Sequence, residues 1–391
     1  MSELERLIQE LCPNGVPFKK ASEGANVSIG EFVHKSKQNP NGKYPVFNGG
    51  TSNTGFYDEY NRTANKIIIS ARGANAGFVN RVFTNYWSGN SCYTIDVVDE
   101  NLDWTFVYYW FKQNEQVLLG EQQKGGIPAV SKKQVENFLV PVPPIEVQRE
   151  IVRILDNFTE LTAELTAELT AELTARKKQY EYYRDMLLTL PDISHMPLSK
   201  LTLKVGSINW KNCDNTKKYI DLSSVDRNTH AIIDDDVLEI SAENAPSRAK
   251  QLVKENDILF GGTRPMLKRY CTVPREYNEH VCSTGYCVLR VDNKIVLTNF
   301  VYHCLGTSDF YRYVEANQQG ASYPAISDTV LKAYEIPVPS LEEQKRIVAI
   351  LDRFDALCND ISAGLPAEIE ARQKQYAYYR DKLLTFKEMS V

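Results

Sequence analysis

Two stretches of this chain collect cations. From His34 to Trp87, seven basic residues (Lys35, Lys37, Lys43, Arg62, Lys66, Arg72, Arg81) stand against Asp58 and Glu59 alone. From Arg248 to Arg275, seven more (Arg248, Lys250, Lys254, Arg264, Lys268, Arg269, Arg275) stand against Glu255 and Asp257. Clusters of this kind hold phosphate oxygens. The net charge of -5 argues weakly against a polyanionic partner, and either stretch alone is ordinary surface charge. Two such stretches, one per half of an acidic chain, point toward nucleic acid.

No residues that would run a reaction accompany them. The chain has no G-x-x-x-x-G-K-[ST] phosphate loop and no G-x-G-x-x-G dinucleotide turn. It lacks the Asn/Asp-Pro-Pro-aromatic tetrapeptide with which adenine methyltransferases hold a flipped base. The Gly-rich turns Asn48-Gly-Gly50 and Gly261-Gly262 lack the strand-then-helix context of a phosphate cradle. Five histidines form no zinc pattern, and eight cysteines form no C-x-x-C pair. The cysteines are expected as reduced thiols filling cores in a cytoplasmic protein. Asp234-Asp235 reads as a solvated loop. No stretch approaches eighteen apolar residues, and the start Met-Ser-Glu-Leu-Glu-Arg has no signal-peptide pattern. The expectation is a binding subunit, with no catalytic residue, metal or cofactor of its own.

The elements that carry the cations are duplicated. Ile336-Pro-Val-Pro-Ser-Leu-Glu-Glu-Gln344 restates Val140-Pro-Val-Pro-Pro-Ile-Glu-Val-Gln148, 196 residues on, and the register holds for about forty residues. Each copy opens a long helix. In the first, Ile151, Leu155, Phe158, Leu161, Leu165, Leu169 and Leu173 form one apolar stripe, and Thr-Ala-Glu-Leu is repeated over 162–173. From Ile145 to Thr189 that helix would be roughly 65 Å long. In the second, Leu357, Ile361, Leu365 and Ile369 keep the stripe, but Gly364 and Pro366 should break or kink it. Two one-faced helices are expected to pair as an antiparallel coiled coil.

Between the helices the chain reads as α+β. Strands are expected at 66–70, 92–98, 257–260 and 286–291, and short aromatic helices at 106–110 and 300–304. Both segments end alike, in Pro-Ala-Val-Ser131 and Pro-Ala-Ile-Ser327, with the serines as helix N-caps. Upstream the halves diverge almost completely. The domains are drawn at 1–144 (with an N-terminal helix), 145–190, 191–340 and 341–391. Met1 to Gly15 is expected to continue the C-terminal helix across the chain break, with the termini close together.

The two Pro-Val-Pro…Gln-x-x-Ile-Val-x-Ile-Leu-Asp blocks, the two Gln-Tyr-x-Tyr-Tyr-Arg-Asp blocks and the Pro-Ala-φ-Ser endings together resemble the specificity subunit of type I restriction–modification systems. The resemblance covers essentially the whole length. It implies two globular α/β-mixed target-recognition domains separated by a long antiparallel two-helix coiled coil, pseudo-two-fold. It also implies double-stranded DNA with a bipartite target, two methyltransferase subunits docked on the helices, and motor-nuclease subunits. S-adenosylmethionine, ATP and Mg would belong to those partners. The Thr-Ala-Glu-Leu repeats resemble those whose number adjusts target spacing.

By type and context, the base- and phosphate-contacting candidates are Thr51, Ser52, Arg72, Asn75, Ser88, Asn90 and Lys124 in the first domain. In the second they are Thr263, Arg264, Lys268, Arg269, Ser283, Gln319, Ser322 and Tyr323. Tyr180, Tyr182, Tyr183 and Arg184, with Tyr376, Tyr378, Tyr379 and Arg380, are the candidate partner surface, since Tyr and Arg favour interfaces. The alternative is a stand-alone DNA-binding or scaffold protein outside any restriction system.

Overall fold

The computed structural model describes residues 2–119, 128–213, 215–359 and 364–389. The chain forms two compact units, Met1–Leu165 with Arg372–Val391, and Thr166–Ala371. Each carries an α+β domain, and a 44-residue helix, Ile145–Leu188, lies between the two domains in the chain. Prolines at 141, 143 and 144 precede that helix, and its Ala, Glu and Leu sustain it. Among the described residues no helix is long and apolar enough to cross a membrane.

In the first unit, four antiparallel strands run in the order Ala25–Ile29, Cys92–Val97, Lys66–Ser70, Val79–Val82. Ile67, Ile69 and Ile95 face the helix Trp104–Gln113, whose Val107 and Phe111 share their core. Ile68 faces the other way, with Val82, Tyr86 and Cys92. A strand buried on both faces reads as a continuous apolar run rather than an alternation. A second sheet, Gly55–Tyr57, Tyr44–Phe47 and Trp87–Ser88, has its last pair parallel. Phe18–Lys20 pairs with Leu139–Pro141 beside the start of the long helix.

The N-terminal helix Glu3–Leu11 opens on a Ser2–Glu5 capping box. It seats Leu4 against Val147, Ile151, Leu155 and Leu384. It does not continue the C-terminal helix, as the sequence led one to expect. Val16 and Glu388 form a parallel bridge, Val16 N–H donates to Lys387 O (2.9 Å), and Met389 N–H donates to Val16 O (3.0 Å). The C-terminal segment thus runs beside the residues that follow the N-terminal helix, rather than into that helix's start.

The second unit repeats this strand order on unrelated residues, with one strand, Ala249–Leu252, added to its second sheet. One sheet runs Thr202–Leu203, Tyr286–Val291, Ile258–Gly261, Tyr270–Thr272. The other runs Leu238–Ile240, Lys217–Ile220, Val281–Ser283, Ala249–Leu252, again with one parallel pair. His195–Pro197 pairs with Glu335–Pro337 as the ribbon before the helix Leu341–Asn359. Strand order survives the divergence in sequence because layers are set by apolar faces rather than by residue identity.

The repeated glutamine has a structural reason. Gln148 is fully buried: Asp103 N–H donates to its Oε1 at 2.8 Å, and its Nε2 donates to Asn101 O and Pro143 O at 2.7 Å. Gln344 does the same, accepting from Leu297 N–H at 2.8 Å and donating to Pro339 O at 2.9 Å. Each amide ties the start of a long helix to the segment that enters the domain helix.

The helices pair antiparallel within each unit, and aromatic rings join the expected apolar stripe in the seam. In the first unit Phe158 stacks on Tyr379 (centroids 5.7 Å apart) and Thr159 bonds Tyr376 through their hydroxyls (3.0 Å). In the second Tyr183 stacks on Phe354 (5.7 Å), and Leu188 shares a core with Ile347 and Leu351. These pairs are the same two positions, exchanged by the repeat. Phe158 belongs to the expected stripe, and Ile151, Leu155 and Leu169 of that stripe are buried, while Leu161 is left 61 % exposed and Leu357 38 %. The expected break is present: one helix ends at Asn359, Gly364 bends, and the next begins at Leu365 with Pro366 in its first turn. Ile361 lies outside the described residues.

Candidate nucleic-acid interface

In the first unit three loops converge at one end of the sheets. Ser91 N–H donates to Asn48 Oδ1 (3.0 Å), Ala71 N–H to Ser91 O (2.8 Å), and Ser70 Oγ to Gly50 O (3.0 Å). Gly49 allows this approach: it has φ +79°, and a Cβ there would stand 3.2 Å from Ser91 O. The repeated Pro-Ala-Val ending clamps the same place, with Gly73 N–H on Pro128 O and Val130 N–H on Ala71 O, both 2.8 Å. On this rim Thr51, Ser52, Arg72, Asn75 and Asn90 are all exposed.

Ser88 is not among them. It is fully buried, its Oγ donates to Cys92 O (3.4 Å) and accepts from Thr94 Oγ1 (3.3 Å), and so it serves the core. Lys124 lies outside the described residues. Three cations of the first basic stretch are also committed internally. Arg62 donates to Asn61 O and Ile29 O, Lys66 pairs with Asp96 (2.8 Å), and Arg81 pairs with Asp156 (3.0 Å). Lys35, Lys37, Lys43 and Arg72 stay exposed.

In the second unit the ending Pro-Ala-Ile clamps a turn rich in cations. Arg264 N–H donates to Pro324 O (2.7 Å) and Ile326 N–H to Gly262 O (2.9 Å). Gln319 and Ala325 exchange two backbone bonds of 2.8 Å and so close the loop that carries Ser322 and Tyr323. Arg264, Lys268, Gln319, Ser322 and Tyr323 are exposed, while Thr263 and Arg269 are half-buried. Arg264 Cζ lies 4.4 Å from the Tyr323 ring centroid, and Lys268 Nζ 4.7 Å from that of Tyr311. Ser283, by contrast, is fully buried beneath this surface, its Oγ accepting from Gly285 N–H (3.3 Å).

Among the described residues none of the seven cations from Arg248 to Arg275 has an ion-pair partner, and Arg290 holds the local acid Asp257 at 2.7 Å. The two clamps are matched, but Gly73 occupies the bonded position that Arg264 takes in the second unit. Arg72 and Arg264 are therefore offset by one residue in their loops. No sequence pattern marks this offset, nor the gathering role of Asn48.

The candidate partner surface is divided by burial. Tyr180 and Arg184 are interior: Tyr180 hydroxyl bonds His303 Nδ1 (2.9 Å), and the Arg184 guanidinium lies over the Tyr180 ring (5.2 Å). Tyr183 and Tyr379 hold the seam, Tyr376 is half-buried, and Arg380 pairs with Asp381 (2.8 Å). Tyr182 and Tyr378, at equivalent positions of the repeat, remain outward at 65 % and 63 % exposure.

A family described as the type I restriction modification DNA specificity domain matches residues 15–175 and again residues 200–371. The chain is similar to a type I restriction enzyme specificity subunit of Escherichia coli, 36 % identical over 306 residues, 72 % of this chain and 70 % of that protein. It is similar to a putative one of Haemophilus influenzae, 29 % identical over 404 residues and 98 % of both chains. The crystal structure of the type I restriction–modification system S subunit from M. genitalium is also similar, with 19 % identity, a TM-score of 0.47, and 96 % of this chain and 97 % of that one covered.

Proposed function

We propose that this chain, which belongs to the family of type I restriction–modification DNA specificity subunits, reads a bipartite DNA target with one domain per half-site. The observation that carries the reading is the pair of clamped rims. Loops with no shared sequence present exposed Thr51, Ser52, Arg72, Asn75 and Asn90 in the first unit and Arg264, Lys268, Gln319, Ser322 and Tyr323 in the second, on a frame held by the same Pro-Ala-φ backbone bonds. Amides and guanidinium groups match base edges in the major groove, and the surrounding cations hold phosphates. A fixed frame with variable loops can be re-addressed without being refolded.

The paired helices dock two methyltransferase subunits, with Tyr182 and Tyr378 at matching sites, and motor-nuclease subunits join that assembly. The chain itself carries out no chemistry. S-adenosylmethionine, ATP and Mg act on the partners, in the cytoplasm. The test is to co-express the chain with the modification subunit of its own operon and to sequence methylated adenines in the host genome. A split motif that disappears when this chain is deleted is expected. A continuous motif, or methyl transfer by the purified chain alone, would overturn the reading.

A further inference from the structure

The turn Pro265–Leu267 is flanked by two left-handed residues, and both are basic. Arg264 has φ 49°, ψ 57°, and Lys268 has φ 56°, ψ 38°. Residues with a Cβ avoid this region, and Pro265 further biases Arg264 toward extended backbone. The chain uses glycine for the same need nearby, at Gly320 with φ +99°. Glycine would be easier at 264 and 268 too, unless the side chains themselves are required. Left-handed backbone at a residue with a Cβ costs free energy, and here it brackets one three-residue turn from both sides.

Both side chains are also braced. The Arg264 guanidinium lies 4.4 Å from the Tyr323 ring centroid, and Arg264 N–H is fixed to Pro324 O at 2.7 Å. Tyr323 is itself 70 % exposed, at the tip of the loop that Gln319 and Ala325 close. A hydrophobic ring left in water this way has no core to serve. Stacking occupies one face of a guanidinium and leaves its N–H edges free. Two parallel donors held in a plane match two acceptors side by side, which among base edges in the major groove means O6 and N7 of guanine.

We infer that Arg264, positioned by Tyr323, reads a guanine in the half-target of the second domain, and that Lys268 contacts an adjacent phosphate. This rests on the DNA-reading function proposed above. Tyr323 is a positioning residue: it acts through Arg264 and makes no base-specific bond of its own.

The experiment uses the reconstituted complex of this chain with its modification subunit and duplexes carrying the mapped target. 7-Deazaguanine, which lacks N7, is placed singly at each guanine. One position is expected at which the substitution weakens wild-type binding about tenfold and leaves Arg264→Ala unaffected. Inosine, which retains O6 and N7, should be tolerated there. Tyr323→Ala should lose discrimination at that position alone, Tyr323→Phe should retain it, and Tyr323→Ala should add nothing to Arg264→Ala. Arg264→Gly relieves the backbone, so its melting temperature should equal or exceed that of wild type while binding to the mapped target weakens about tenfold, which separates reading from folding.

The inference fails if no guanine responds in this Arg264-dependent way, or if Tyr323→Phe is as defective as Tyr323→Ala. The wider reading fails separately, if the complex shows no sequence preference on any duplex.

Discussion

Arg72 and Ser88 are both candidate contacts of the first unit, but Arg72 is exposed and Ser88 is buried. Arg72→Ala should weaken binding to one half-site by on the order of 1–3 kcal/mol and leave the other half-site intact. Equal loss on random DNA, measured in the same titrations, would mean that Arg72 touches only phosphate. Ser88→Ala should leave discrimination untouched and lower stability by about 1 kcal/mol, through its bonds to Cys92 O and Thr94, as read by urea denaturation. Residue type placed both in the candidate site, and pleat parity then turned Ser88 inward, a fact no single sequence displays at a two-residue strand. His230 is legible only in the structure. Burial, with Arg184 adding repulsion, lowers its pKa to about 4 from 6.5. The unfolded chain therefore binds this proton first as the pH falls. Stability is full above about pH 6.5 and declines toward pH 4, by on the order of 2 kcal/mol once residual solvent contact is allowed for. His230→Asn tolerates the left-handed backbone (φ 54°) and should flatten that slope in denaturation curves taken across the interval. An identical slope in wild type and variant would refute it.

Elements with a strong local period were legible. The long helix, expected over 145–189, runs Ile145–Leu188, and strands fall at Lys66–Ser70, Cys92–Val97, Ile258–Gly261 and Tyr286–Val291, within a residue of expectation. Both serines cap as expected, Ser131 with Gln134 N–H and Ser327 with Val330 N–H. The seam was legible only in part: Phe158 lies on the expected stripe, but an apolar stripe does not record which residues of the partner helix it meets. The stacked Phe158–Tyr379 and Tyr183–Phe354 pairs settle it, and those contacts are non-local. The repeated glutamine was visible as a letter, while its purpose depended on the fold. Gln344→Leu keeps roughly the same volume and strands Leu297 N–H and Pro339 O in the interior. It should destabilise the second unit by about 2–3 kcal/mol, and Gln148→Leu should do the same to the first, read as shifted denaturation midpoints at unchanged slope. A loss below about 0.5 kcal/mol would mean that water replaces the amide.

At the scale of the molecule the duplication was plain from the 196-residue offset, whereas the shared strand order of the two domains was hidden by divergent loops. The division between the compact units falls at Leu165 and Thr166, inside the Thr-Ala-Glu-Leu run of an unbroken helix. Deleting Thr166–Leu169 removes one repeat there. The unit lost supplies about 6 Å of rise, nearly two base pairs of duplex, and about 40° of rotation beyond a full turn. Its successor Thr170–Leu173 has the same four residues, so the buried place of Leu169 is taken by another leucine and the helix can re-register. The loops at 48–52, 72–75, 263–268 and 319–323, which carry the candidate base contacts, are untouched. The preferred spacer between half-targets should therefore change while the half-targets stay the same. Methylation by the reconstituted complex on a library that varies only in spacer length measures this. An unchanged spacer optimum would leave the repeats as a solvated stalk, and a changed half-target sequence would require the helix itself to contact bases, for which its Glu- and Ala-rich exposed face is unsuited.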